Sequence, residues 1–130
     1  MTESRPTLDQ RRASCAWNAI EEIKKTGQEK AKEYAGEAKK MPMRILTAGL
    51  GPALAFILAK AKEKKPNLKQ LHSDLTKWVI EERPIKANKT GSLLESVIMG
   101  DSDFLRRATD ETLAYLQWLN RFADAAGLTD

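Results

Sequence analysis

From Ile45 to Ala59 the sequence is apolar almost without interruption, with Lys39, Lys40 and Arg44 before it and the Lys60 to Lys65 run after it. No other stretch of the chain is like it. As a helix those residues rise about 22 Å, short of the ~30 Å hydrocarbon core of a bilayer, so burial within protein is expected rather than a membrane span. A helix that is apolar on nearly all sides needs other helices to cover it, and the remaining sequence must supply amphipathic partners.

That requirement is met. With 130 residues the chain suits one core and is too short for two ordinary domains. Few aromatics, few β-branched runs and many Ala, Lys, Glu and Leu residues favour helix over strand. The sequence therefore predicts an all-α fold: one domain over 1–130, a bundle of about five to six helices around the central apolar helix.

Thr7-Leu8-Asp9-Gln10 has capping-box spacing and opens a helix whose stripe is Leu8, Ala16, Ala19, Ile20 and Ile23, with Gly27 as its stop. A second helix, Gln28 to Lys40, has a thin stripe of Ala31, Tyr34, Ala35 and Ala38. Pro42 is expected to break it and to begin the apolar helix, in which Gly49, Gly51 and Pro52 set a kink or a break near Gly49 to Gly51. Asn67 is expected to cap a fourth helix, with Leu68, Leu71, Leu75, Trp78 and Val79 on one face, running to about Arg83. Pro84 to Thr90 reads as a polar loop. Ser92 with Glu95 starts a short fifth helix ended by Gly100, and the longest pattern runs from Asp101 or Ser102 to about Ala126.

Chemistry is scarce. One cysteine, Cys15, forms no internal disulfide, and one histidine, His72, at the edge of the fourth helix's stripe, is too little for a zinc site within the chain and reads as a boundary residue of no catalytic consequence. Gly49-Leu50-Gly51 lacks the third glycine and the preceding strand of a dinucleotide fingerprint. The carboxylate pairs Glu21-Glu22, Glu81-Glu82 and Asp110-Glu111 are consecutive on helices, point apart, and read as solvated surface. No catalytic residue, metal or cofactor is expected. The absence of an apolar leader suggests a cytoplasmic protein.

What remains is cationic. The net charge of +4 divides into +6 over residues 1–65 and −2 over residues 66–130, which points to a polyanion or an acidic protein surface as partner. Arg12 falls within the apolar stripe of the first helix, where it either snorkels from the core edge or joins an anion site, and Arg11 lies on the flank. Lys39, Lys40 and Arg44 flank a helix start, where backbone N–H groups also attract anions. The Lys60 to Lys65 tail reads as solvated positive surface. Arg106 and Arg107 either pair with Asp110 and Glu111 or face a polyanion.

Two segments go further than composition. Tyr34 to Phe56 contains Lys-Lys-Met-Pro followed by Ile-Leu-Thr-x-Gly-Leu-Gly-x-x-Leu-Ala-Phe, and Arg106 to Ala123 reads Arg-Arg-Ala-Thr-x-Glu-x-Leu-Ala-Tyr-Leu-x-Trp-Leu-x-Arg-Phe-Ala. In order and over nearly the whole chain, this closely resembles the small subunit of the type III-B CRISPR effector, the Cmr complex. The resemblance implies a non-catalytic protein that stacks in copies along a ribonucleoprotein, beside other subunits, and lines the groove where guide RNA and target RNA pair. Base pairing reads the sequence there, so such a subunit needs only backbone contacts from Lys and Arg. On that footing Lys39, Lys40 and Arg44 are expected to face RNA, with Arg11, Arg12, Arg106 and Arg107, on a surface without an exposed aromatic platform. Alone, the chain is expected to bind RNA weakly and to associate weakly or not at all. The alternative is a helical adaptor whose basic patches meet acidic protein surfaces without RNA; a free DNA-binding domain ranks last, for want of a recognition helix.

Overall fold

A computed structural model describes residues 4–83, 85 and 91–129. Among them the chain forms α1 (Leu8–Lys24), α2 (Gln28–Ala48), α3 (Leu50–Glu63), α4 (Asn67–Thr76) continued by one π-helical turn (Lys77–Glu82), α5 (Leu93–Met99) and α6 (Ser102–Ala125). No strand occurs among the described residues, so the fold is all-α. The expected loop at Pro84 to Thr90 lies, apart from Ile85, outside the described residues. α1 runs along α6, α2 packs against α1, α3, α4 and α6, and α5 bridges α3, α4 and α6.

Of the kink or break expected near Gly49 to Gly51, the structure has the break, so the apolar run is not one helix. Pro42 sits inside α2, and the break comes at Gly49, whose φ of 97° and ψ of 162° suit glycine alone. Pro42 is tolerated because a neighbour replaces what it removes. Its ring leaves the Ala38 carbonyl without an intrahelical donor, and Asn120 Nδ2 from α6 donates to that carbonyl at 3.2 Å. Gly49 then turns α3 back against α2, so the two helices form a hairpin.

The run is not wrapped on all sides either. Ile45, Leu50, Ala53, Leu54 and Ile57 are buried, but Met43, Leu46 and Phe56 are exposed. The central position belongs to α2, the helix with the thin stripe. Its Ala31, Ala35 and Ala38 are fully enclosed, and such small side chains let four neighbours approach, with Tyr34, Met41 and Ile45 filling the space between. Trp78, Tyr115, Leu116 and Leu71 complete the core from α4, its π-helical turn and α6.

Helix ends follow the local rules in most places. Thr7 and Gln10 cap α1 reciprocally, and Ser92 and Glu95 cap α5. Asp101 accepts from Phe104 N–H at the start of α6. Asn67, expected as a cap, lies inside α4 and instead donates to Glu33 of α2 at 3.0 Å. The π-helical turn shifts the register after Thr76, with Arg83 N–H bonding to Trp78 O at 2.7 Å. That register aims Trp78 Nε1 at Glu111 of α6, 2.9 Å away.

Candidate nucleic-acid interface

Glu37 organises the most unusual surface of the molecule. It is 1% exposed, yet its carboxylate meets four cations: Arg44 at 2.8 Å through Oε1, and Lys65 at 3.0 Å, Lys60 at 3.4 Å and Lys40 at 3.6 Å through Oε2. Lys40 and Arg44 share Glu37's face of α2, three and seven residues on, because the helix continues through Pro42. Lys60 comes from the last turn of α3 and Lys65 from just past its end, which the Gly49 turn carries back beside Glu37. The Arg44 guanidinium also lies 4.4 Å from the centre of the Phe56 ring, and Lys60 Nζ lies 5.2 Å from it.

Burial works against the ionised carboxyl, but the hydrogen bond from Lys65 and the close charges of Arg44 and Lys40 overcome it and hold Glu37 at a pKa of about 2. One negative charge thus stands among four positive ones. The excess is exposed chiefly through Lys40, and it can neutralise backbone phosphates without reading a base.

The expected cations do not form one site. Lys40 and Arg44 converge, whereas Lys39 turns to α6 and pairs with Asp124 at 2.7 Å. Arg12 is held inside the fold: its fork grips Glu111, with Nη2 at 2.9 Å from Oε1, and Nη1 lies 3.1 Å from Asp9. Arg11 donates to the Glu82 carbonyl at 2.8 Å, and it borders a cleft of about 610 Å³ that Glu22, Asp74, Glu81 and Glu82 also line, a poor setting for phosphate. Arg106 and Arg107 pair with Asp103, at 2.9 Å and 4.0 Å, and not with Asp110 and Glu111.

Three other sequence expectations change. Glu111 is not solvated surface: it is buried, and it joins α1, the π-helical turn and α6 by accepting from Arg12 and Trp78 and pairing with Arg83 at 3.3 Å. Burial opposes its ionisation, and the bonds from Arg12 and Trp78 outweigh that and lower its pKa. His72 is no boundary residue. It is buried, and desolvation lowers its pKa, so its neutral Nε2 accepts from Leu94 N–H at 3.3 Å while Thr76 Oγ1 accepts from Leu93 N–H at 3.0 Å. An aromatic ledge does exist: Trp17, half exposed, meets Phe122 edge-on at 5.2 Å, and Trp118 lies 5.6 Å beyond.

Glu37, Lys60 and Lys65 are the site residues that the sequence did not disclose. The spacing of Glu37, Lys40 and Arg44 was readable, but only for a helix that passes through a proline. Among the described residues, no group of His, Cys, Asp and Glu is arranged to hold a metal ion, and no helix is long and apolar enough to cross a membrane.

Comparison with known proteins adds a family to this geometry. The family described as CRISPR-associated protein (Cas_Cmr5) matches residues 8–126, from the first residue of α1 to one past the end of α6. The CRISPR system Cmr subunit Cmr5 of Thermus thermophilus is 32% identical over 111 residues, covering 85% of this chain and 90% of that protein.

Proposed function

The chain belongs to the Cas_Cmr5 family and is a small subunit of the type III-B Cmr complex, and on that premise we propose that it lines the groove of guide RNA and target RNA, contacting their backbones without taking part in catalysis. The observation that carries this reading is the cluster at Glu37, where Lys40, Arg44, Lys60 and Lys65 leave three positive charges uncompensated. Such contacts give affinity without sequence preference and weaken as salt rises.

Within this reading the expected residues take different parts. Lys40 and Arg44 are the RNA-facing pair. Lys39, Arg106 and Arg107 are exposed cations that add to the field, each already sharing a carboxylate. Arg11 and Arg12 act chiefly as ties within the fold. The partners are the other subunits, the two RNA strands and further copies of the chain, with no membrane and no cofactor, and the setting is the cytoplasm.

Stacking of copies has its own support. Met43, Leu46 and Phe56 are exposed on the α2–α3 hairpin that carries the cations, while Ile98, Met99 and Leu105 are exposed on α5 and α6 near the acidic Asp101 and Asp103. Two exposed apolar patches, one beside the cations at Glu37 and one beside Asp103 with its paired arginines, offer surfaces that contact between copies would cover.

The experiment is target-RNA binding by the Cmr complex reconstituted with Lys40→Glu and Arg44→Glu. Affinity at low salt falls at least about tenfold, equally for unrelated sequences. Unchanged affinity would refute RNA contact here. It would favour the adaptor reading, in which the same face meets acidic protein, provided that assembly of the complex became salt-sensitive instead.

A further inference from the structure

We infer that Glu37 is a positioning residue that gathers Lys40, Arg44, Lys60 and Lys65 into one preformed site for the phosphates of the RNA backbone, an assignment that rests on the RNA-facing reading above. Three ammonium groups touch a single carboxylate oxygen, and the guanidinium touches the other. Without that carboxylate four like charges repel one another, and the long side chains move apart into water. With it, Lys60 and Lys65 are already held by hydrogen bonds to the carboxylate before RNA arrives, so less order has to be imposed on binding.

The cations belong to α2, to α3 and to the segment just past the end of α3, so no local spacing could hold them together. Glu37 lies on one arm of the hairpin and Lys60 and Lys65 end the other, and the buried carboxylate is where the arms meet. Phe56 fixes Arg44 and Lys60 further. Lys62 and Lys64, on the same basic segment, are exposed and make no pair with Glu37. Lysines of equal charge and near-equal sequence position thus divide into Lys60 and Lys65 inside the site and Lys62 and Lys64 outside it.

The test measures binding of the full chain to a short labelled single-stranded RNA by fluorescence anisotropy across a salt series. Lys60→Gln with Lys65→Gln lowers affinity about tenfold or more and reduces the salt slope by about one for each phosphate left without its cation, whereas Lys62→Gln with Lys64→Gln costs about twofold or less. Glu37→Gln raises the net charge from +4 to +5. On charge alone it strengthens RNA binding, but as a positioning residue its loss weakens binding several-fold. Equal costs for the two lysine pairs, or a Glu37→Gln chain that binds RNA more tightly, would overturn the positioning role and leave RNA contact standing. If neither lysine pair nor Lys40→Glu weakens binding, RNA contact itself fails. The two lysine pairs keep the result decisive even where Glu37→Gln does not fold.

Discussion

The bond from Asn120 to the Ala38 carbonyl makes a quantitative prediction about Pro42. Ala38 is fully buried, and Pro42 has no N–H to offer it, so Asn120 Nδ2 at 3.2 Å is the donor that meets this carbonyl. Leaving a buried carbonyl unmet costs about 1–3 kcal/mol. The 3.2 Å separation is at the long end of an N–H···O bond, which places the expected loss near the lower bound, about 1–1.5 kcal/mol. The single variant Asn120→Ala blurs that value, because Asn120 Oδ1 is itself buried without a partner and its removal brings relief. A double-mutant cycle with Pro42→Ala cancels this. In the Pro42→Ala background the helix supplies its own N–H to Ala38, so Asn120→Ala costs less there by about 1 kcal/mol. Urea unfolding followed by far-ultraviolet circular dichroism measures all four corners, with unchanged m-values securing the comparison. If Asn120→Ala costs the same in both backgrounds to within about 0.3 kcal/mol, Asn120 is not what makes the proline tolerable.

Other consequences are simpler to check. Gly49→Ala should destabilise the fold by about 1–3 kcal/mol in the same assay, since a side chain there adopts a positive φ, and an effect below about 0.5 kcal/mol would refute strain at the turn. Glu37 lies below its unfolded pKa of 4.5, so its contribution is complete above pH 4.5 and is lost as pH falls toward about 2; full protonation removes about 3 kcal/mol, visible as a steep fall in acid stability that Glu37→Gln flattens. His72, also lowered, contributes the same sign in a different window: stability declines as pH drops below 6.5, because the unfolded imidazole takes a proton that the folded one resists, and His72→Gln should remove that slope. Glu111→Gln, which leaves Arg83 without its carboxylate and Arg12 with Asp9 alone, should cost about 3 kcal/mol, while Arg106→Ala should stay within about 0.5 kcal/mol.

The sequence disclosed most where the governing interactions were local. The capping boxes at Thr7 and Ser92, the stop at Gly27 and the long periodic stretch ending near Ala126 each depend on residues within one or two turns, and they appear where expected. Pro42 misled because the group that excuses it, Asn120, is far along the chain. Hydrophobicity alone points to the apolar run as the buried centre, whereas the centre is set by how closely helices can approach, and alanines serve that purpose in α2. For the candidate site, Lys40 and Arg44 were legible as a pair, but Lys60 and Lys65 reach them only through the hairpin. Glu37 and Glu111 looked like ordinary surface acids, since nothing near them in sequence marks a carboxylate that tertiary contacts will enclose.

The turn at Gly49 couples the lengths of the two helices that flank it. Glu37 and Lys60 stand at nearly the same distance from Gly49 on opposite sides, so the chain measures out two arms that must end together. One residue added to either arm would rotate everything beyond it by about 100° and slide it by about 1.5 Å, turning the cations away from the carboxylate. Relatives that keep the site are therefore free to vary in length before Glu37 or after Lys65, but between those residues they are expected to gain or lose residues only in compensating sets. Gap placement along that stretch would record the site even where the lysines themselves have been replaced by arginines.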